Sequence, residues 1–94
     1  EFFLTDHAGH RGTREDCQRI LAVLDRFLAA LMTCVENAEG LCLVLTSDHG
    51  NIEAPETRRH TCNPVPWIVF GGENAPSRAI SSLVDVVPAL LACW

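Results

Sequence analysis

The strongest constraint on the fold is one long apolar stripe between Thr13 and Gly40. Apolar side chains recur there at steps of three and four residues, the spacing that places them on one face of an α-helix: Cys17, Ile20, Leu21, Leu24, Phe27, Leu28, Leu31 and Val35. Thr13 stands where an N-cap is expected, and Asp16, three residues later, completes a capping box. Gly40 suits the position that follows a helix end. The pattern predicts a single amphipathic helix between these two limits.

Short apolar runs on both sides of this helix predict three strands. Leu41–Thr46 is a continuous apolar run, typical of a strand that is buried on both faces. Glu1–Thr5 is predicted to end a strand, and a loop with two glycines, from Asp6 to Gly12, follows it. Val65–Phe70 is predicted as the third strand, with an irregular start because Pro66 lacks an N–H for the ladder.

The C-terminal segment is predicted to be a loop over Gly71–Ser81 and then a helix from about Val86. With Asp85 as N-cap, Pro88 falls in the first turn, where its missing N–H breaks no intrahelical hydrogen bond. The predicted order is β-α-β-β-α, which defines an α/β fold. Its first three elements are expected to form a βαβ unit with a right-handed crossover.

Two helices are too few to cover both faces of a sheet made of apolar strands. Each large apolar side chain left in water forgoes about 1.5–3 kcal/mol. We therefore expect residues 1–94 to be an incomplete domain, one piece of a larger sheet sandwiched by helices. The missing portion, or another copy of the chain, is expected to cover the sheet. The sequence begins without Met and directly in an apolar run, which fits a chain taken from a longer one.

Charge and composition argue against several classes of partner. The net charge is −5, and the seven Arg, with no Lys, are scattered along the chain, so nucleic-acid binding is not expected. No apolar run approaches the ~20 residues that span a bilayer, and the N-terminus has no signal-peptide pattern. The five Cys include no Cys-x-x-Cys pair. We interpret Cys17, Cys34 and Cys42 as buried free thiols of a cytoplasmic protein, whereas Cys62 has an alternative interpretation as a metal ligand.

Potential metal ligands are concentrated in three short stretches, which contribute Asp6 and His10, Asp48 and His49, and His60. The first two stretches follow predicted strands, and open α/β sheets bind ligands at the carboxyl ends of their strands. Carboxylate and imidazole together suit Mn²⁺ or Zn²⁺. A single Asp-His pair is usually only a hydrogen-bonded turn, but the combination favours a metal site. His7 is interpreted as a solvent-facing or supporting residue.

Several motifs in these stretches resemble a known family. Thr46–Glu53 (TSDHGNIE) and His60–Pro66 (HTCNPVP) resemble the C-terminal part of cofactor-independent phosphoglycerate mutase, a member of the alkaline phosphatase superfamily. Asp6-x-x-Gly9-His10 fits the preceding ligand motif of that family, and Leu83–Pro88 (LVDVVP) is similar to its closing helix. The resemblance covers nearly the whole chain.

The resemblance implies two divalent cations, Mn²⁺ or Zn²⁺. One would be held by Asp6, His10 and His60, and the other by Asp48 and His49. The family completes the second site with a further Asp and supplies a Ser or Thr nucleophile, both from an N-terminal segment that has no match here. This chain is therefore expected to contain no catalytic nucleophile and to be inactive alone. The family's separate substrate domain, which binds the phosphorylated small molecule, also has no match.

Residues near the motifs have candidate supporting roles. Asn51 and Glu53 are candidates for side chains that orient the His ligands without contacting the metal themselves. Arg11, Arg58 and Arg59 are candidates for a phosphate contact, because a guanidinium offers a planar fork to phosphate oxygens. For each Arg, an exposed position with no ligand contact is the alternative.

Three functions remain open from the sequence. The leading hypothesis is part of a two-metal phosphotransferase or mutase. The first alternative is a hydrolase of phosphate or sulfate esters, including phosphodiesterases, in the same superfamily. The second is a metal-binding module without catalysis. In each case we expect weak metal binding that declines as the pH falls through roughly 6.5, where imidazoles take up protons.

Overall fold

A computed structural model describes residues 1–72, 76 and 80–93 of the chain. Its elements are helices α1 (Leu4–Arg11) and α2 (Arg14–Glu36), strands β1 (Leu43–Thr46) and β2 (Trp67–Phe70), a 3-10 helix (Leu83–Asp85) and helix α3 (Val86–Leu91). The chain divides into two compact units. The first combines Glu1–Ala30 with His49–Val65, and the second combines Leu31–Asp48 with the described residues after Val65.

The N-terminal segment is a helix, so the strand predicted at Glu1–Thr5 and the loop predicted at Asp6–Gly12 are both wrong. Helix α1 satisfies its backbone locally, beginning with the His7 N–H, which donates to the Phe3 carbonyl at 3.1 Å. A strand would need a neighbouring strand to do the same. Because this strand is absent, the predicted βαβ unit is absent from the described part of the chain.

Helix α2 confirms the amphipathic helix predicted after Thr13. The Asp16 N–H donates to the Thr13 hydroxyl at 3.2 Å, and the Thr13 N–H donates to the Asp16 carboxylate at 2.8 Å, which is the reciprocal pattern of a capping box. The hydrogen bonds from the Thr13 N–H and hydroxyl, followed by that from Arg19, hold the pKa of Asp16 well below its usual range. The helix ends before Gly40, whose φ is +73°.

The sheet consists of β1 and β2, which pair antiparallel. Leu43 faces Phe70 and Thr46 faces Trp67. Both strands are shorter than the runs that predicted them, Leu41–Thr46 and Val65–Phe70. The first was predicted to be buried on both faces, but its residues are half-buried or exposed. The structure is thus a mixed α/β arrangement with a two-stranded sheet in its described part.

The C-terminal helix is confirmed from Val86, with Pro88 as its third residue. Asp85 occupies the predicted N-cap position, but its side chain makes no capping hydrogen bond to this helix. Asp85 instead closes a capping box with Ser82 around the preceding 3-10 helix, accepting the Ser82 N–H at 3.0 Å. The predicted loop over Gly71–Ser81 lies largely outside the described residues.

Few side chains are fully buried. Among the described residues, the buried apolar side chains are Ala8, Cys17 and Ala89. Cys17 packs in the first unit, where its thiol donates to the Ala8 carbonyl at 3.6 Å. Cys34 is exposed and Cys42 half-buried, so the prediction of buried thiols is correct only for Cys17; all five thiols are free. No helix in the described ranges has the length and apolar character needed to cross a bilayer.

Candidate metal centre

Helix α1 places Asp6 and His10 on the same face. The two residues are four apart, so one helical turn brings their side chains together. His10 Nε2 lies 3.3 Å from Asp6 Oδ1. The sequence predicted that these two residues act together, but it assigned them to a loop after a strand. The proximity comes instead from helical periodicity.

His60 joins this pair from the loop that contains residues 49–65. The Thr61 N–H donates to the Gly50 carbonyl at 2.8 Å, in an isolated antiparallel bridge that fixes the main chain beside His60. His60 Nε2 lies 3.0 Å from His10 Nε2 and 3.5 Å from Asp6 Oδ1. One carboxylate oxygen and two imidazole nitrogens therefore converge, with all three atoms within 4.8 Å of one another.

The convergent atoms have the chemistry of a cation site. Asp6 Oδ1 is buried and accepts no hydrogen bond from the residues that the structure describes. Atoms coordinated at ~2.1 Å to one cation lie about 3–3.4 Å from each other, close to the observed separations of 3.0, 3.3 and 3.5 Å. A buried carboxylate oxygen without a donor is costly, and a divalent cation would satisfy it. The residues present therefore fit a divalent metal ion.

His49 lies beside this cluster, which we call the Asp6–His10–His60 cluster. Its ring stacks on that of His60, with centroids 3.5 Å apart and planes inclined by 14°. Its Nε2 is 3.8 Å from Asp6 Oδ1. Asp48 precedes it but belongs to the second unit, two residues after β1, and is exposed. The first unit thus holds four of the five predicted ligands.

Glu53 connects the two loop segments that carry His49 and His60. Its carboxylate accepts the Asn51 N–H at 2.6 Å, the Asn63 side-chain amide at 2.9 Å, and the Thr61 hydroxyl. The hydrogen bond from Thr61, with a smaller contribution from Asn63, lowers the pKa of Glu53 to about 2. Glu53 thus binds the neighbour of His60 in sequence, and its described contacts stabilise the loop.

The side chain of Asn51 is buried against helix α1. It is 5% exposed, and its amide oxygen and nitrogen have no hydrogen-bond partner among the described residues. Its oxygen occupies the space that a side chain at Gly9 would need. Gly9 therefore permits a close approach between α1 and the loop.

The three candidate Arg residues differ in position. Arg11 lines an open cleft of about 530 Å³ together with Phe3, Asp6, His7 and His10. Arg58 and Arg59 are exposed. The sequence missed the role of the Arg58 main chain, whose carbonyl oxygen is 3.0 Å from His10 Nδ1. Residue type carries no signal for a backbone contact, and an Arg gives no sign of the left-handed φ of 53° seen here.

Comparison with known proteins defines the class of this chain. A family model described as the Metalloenzyme superfamily matches residues 2–92, and the chain belongs to this superfamily. Relatives of the chain include proteins named 2,3-bisphosphoglycerate-independent phosphoglycerate mutase, which confirms the resemblance stated above. The chain is 38% identical over 93 residues to that of Paracoccus denitrificans (strain Pd 1222), covering 92% of the chain and 18% of the relative.

Two further relatives give similar values. Identity is 37% over 94 residues to the mutase of Agrobacterium fabrum (strain C58 / ATCC 33970), covering 92% of the chain and 18% of the relative. Identity is 32% over 97 residues to the mutase of Lawsonia intracellularis (strain PHE/MN1-00), covering 95% of the chain and 19% of the relative. The chain thus spans less than a fifth of the length of these curated relatives, in their C-terminal part. No solved structure matches the chain.

Proposed function

We propose that this chain is the metal-binding C-terminal part of a phosphoglycerate mutase-like enzyme that transfers phosphoryl groups with two divalent cations. The observation that carries the proposal is the Asp6–His10–His60 cluster, in which two imidazole nitrogens and a carboxylate oxygen without a hydrogen-bond donor converge. Mixed nitrogen and oxygen ligands favour Mn²⁺ or Zn²⁺ over Mg²⁺ or Ca²⁺.

Two sets of side chains are assigned to the two cations. Asp6, His10 and His60 hold the first, and Asp48 with His49 contributes to the second. The stacking of His49 on His60 supports a neighbouring position for the second set. Bound divalent cations supply Lewis acidity toward phosphoryl oxygens and activate a hydroxyl nucleophile at neutral pH.

The other side chains bind and orient. Arg11 is the candidate phosphate contact with the most support, because it lines the same cleft as Asp6 and His10. Arg58 and Arg59 are further candidates. Glu53 orients the His60 loop through Thr61, and Asn51 packs it against α1. The nucleophile and the binding groups for the phosphorylated substrate belong to another part of the protein.

The exposed apolar surface supports a larger parent domain. Large apolar side chains are more than half exposed on α1's N-terminal side, on β2 and around α3: Phe3 67%, Ile68 53%, Val84 79%, Val87 62% and Leu91 69%. Surface of this kind calls for a covering partner. We propose that residues 1–94 complete a larger, helix-sandwiched sheet with an N-terminal portion, in a cytoplasmic protein.

Metal stoichiometry tests the proposal on the chain itself. Mn²⁺ and Zn²⁺ are titrated separately into the native chain, Asp6→Ala, His60→Ala and the control His7→Ala, which changes an exposed His of the same helix as Asp6. We expect the native chain and the control to bind one equivalent specifically. The two cluster variants should lose it. Equal binding by all four proteins would refute the cluster as a metal site.

Activity is tested on a longer protein that includes an N-terminal portion. We expect metal-dependent phosphoglycerate mutase activity, at least about 100-fold weaker in Asp48→Ala, since removal of a single group that stabilises transition-state charge costs roughly that much. Hydrolysis of phosphate or sulfate esters without mutase activity would assign the protein to the hydrolase alternative. Metal binding without turnover of either kind would leave a non-catalytic module.

A further inference from the structure

The main chain of a distant segment fixes the imidazole of His10. Its Nδ1 is 3.0 Å from the carbonyl oxygen of Arg58. A carbonyl oxygen only accepts hydrogen bonds, so Nδ1 is the protonated nitrogen of the neutral ring. Nε2 then carries the lone pair. This is the nitrogen that lies 3.0 Å from His60 Nε2 and 3.3 Å from Asp6 Oδ1.

Arg58, which carries this carbonyl, has an unusual backbone conformation. Arg58 has φ of 53°, and within the described ranges it is the only residue other than Gly with positive φ. A residue with a side chain seldom adopts this left-handed conformation. The turn is supported from Thr57, whose hydroxyl accepts the Arg59 N–H at 3.3 Å and donates to the Ala54 carbonyl at 2.9 Å. These hydrogen bonds thus hold the residues on both sides of Arg58.

We propose that the main chain of Arg58 is the positioning element that selects Nε2 of His10 as its ligand nitrogen. The inference rests on the proposed function, since it concerns how His10 is presented to the divalent cation. A hydrogen bond that fixes the tautomer of a ligand His also fixes its ring orientation and raises its basicity. The carbonyl of residue 58 performs this role, and the guanidinium does not. The role therefore requires a residue at position 58 that tolerates positive φ.

The tautomer of His10 is measured first, on the native chain without metal. Ring ¹⁵N shifts at pH 8, in protein labelled with ¹⁵N-histidine and assigned with His10→Gln, report which nitrogen carries the proton. We expect Nδ1–H for His10. An Nε2–H ring in the folded native chain would overturn the inference without reference to any variant or metal.

Substitutions at Arg58 then separate the backbone from the side chain. Arg58→Gly and Arg58→Asn tolerate the left-handed conformation, so they should keep the Nδ1–H tautomer and the native affinity for Mn²⁺ and Zn²⁺. Arg58→Val disfavours positive φ and turns the carbonyl away. It should lose the tautomer preference and bind both ions about 10- to 100-fold more weakly, the usual loss when a supporting contact of a ligand His is removed. Glu56→Val, at an exposed position of the same loop, is the matched control and should change neither.

The outcomes distinguish this inference from the proposed function. Equal weakening by Arg58→Gly and Arg58→Val would assign the effect to the guanidinium and overturn the backbone role. Native affinity in a folded Arg58→Val chain would overturn it as well. If native His10 is Nδ1–H but the chain binds neither ion, the proposed metal function fails while the contact itself stands. Far-UV circular dichroism verifies that each variant is folded.

Discussion

The backbone of Gly9 lies directly against the side chain of Asn51, whose amide oxygen occupies the space of a Cβ at position 9. Gly9→Ala is therefore expected to destabilise the chain even though position 9 is helical. Helix propensity alone favours Ala over Gly by about 1 kcal/mol, whereas overpacking a tight contact costs about 1–3 kcal/mol. We expect a net loss of up to about 2 kcal/mol in the free energy of unfolding, measured by urea denaturation followed by circular dichroism.

A double-mutant cycle with Asn51→Ala isolates this contact. Asn51→Ala removes the amide that overlaps with the new methyl group, so Gly9→Ala in that background should become neutral or stabilising. If Gly9→Ala costs the same with and without Asn51, the overlap with its side chain is not the cause.

The long helix was predictable because all of its signals are local. The Thr13–Asp16 capping box, the apolar stripe and the Gly at position 40 all act within a few residues. Helix α1 was missed because Leu4–Arg11 has no apolar stripe and contains Gly9, which lowers helix propensity. Its packing depends on Asn51, which is far away in sequence. The strand pairing likewise depends on contacts that a single run of residues does not encode.

The candidate site was predictable in residue types but not in supporting contacts. The side chains of Asp6, His10 and His60 have few roles in common other than metal binding, so their clustering carried information. The contact from Arg58 to His10 uses a carbonyl that every residue possesses. The roles of Asn51 and Glu53 were assigned to orienting His rings, whereas their described contacts hold Gly9, Thr61 and Asn63.

Thr13→Ala is expected to weaken the start of α2. The substitution removes the hydroxyl that accepts the Asp16 N–H, and loss of an N-cap side chain typically costs about 1 kcal/mol. Gln18→Ala, at an exposed position inside the same helix, should be neutral or slightly stabilising because Ala has the higher helix propensity. The two midpoints of urea denaturation provide the comparison. A Gln18 variant less stable than the Thr13 variant would contradict the assignment of the cap.

Glu53 is expected to contribute stability that depends on pH. Its folded pKa, about 2, is depressed below the ordinary value of 4.5 by the hydrogen bond from Thr61. The contribution of the carboxylate is therefore complete above about pH 4.5 and is lost as the pH falls toward 2. Because Glu53 is exposed, we expect the contribution to be less than about 1 kcal/mol.

The measurement compares the stability of the native chain with that of Glu53→Gln across a range of pH. Glu56→Gln, which changes an exposed residue of the same loop, is the control. The stability difference between native chain and Glu53→Gln should be largest near pH 6 and should shrink below pH 4.5, where the native carboxylate begins to lose its advantage. Glu56→Gln should show no such convergence. A difference that grows on acidification would have the wrong sign for a depressed pKa.

Metal binding is expected to stabilise the fold, because the cluster joins α1 to the loop of His60. A ligand that binds only the folded state at 100 times its Kd adds about 2.7 kcal/mol. Mn²⁺ or Zn²⁺ should therefore raise the Tm of the native chain and of His7→Ala, and a chelator should reverse the rise. His60→Ala should show no metal-dependent rise. A rise that persists in His60→Ala would place the stabilising cation elsewhere in the chain.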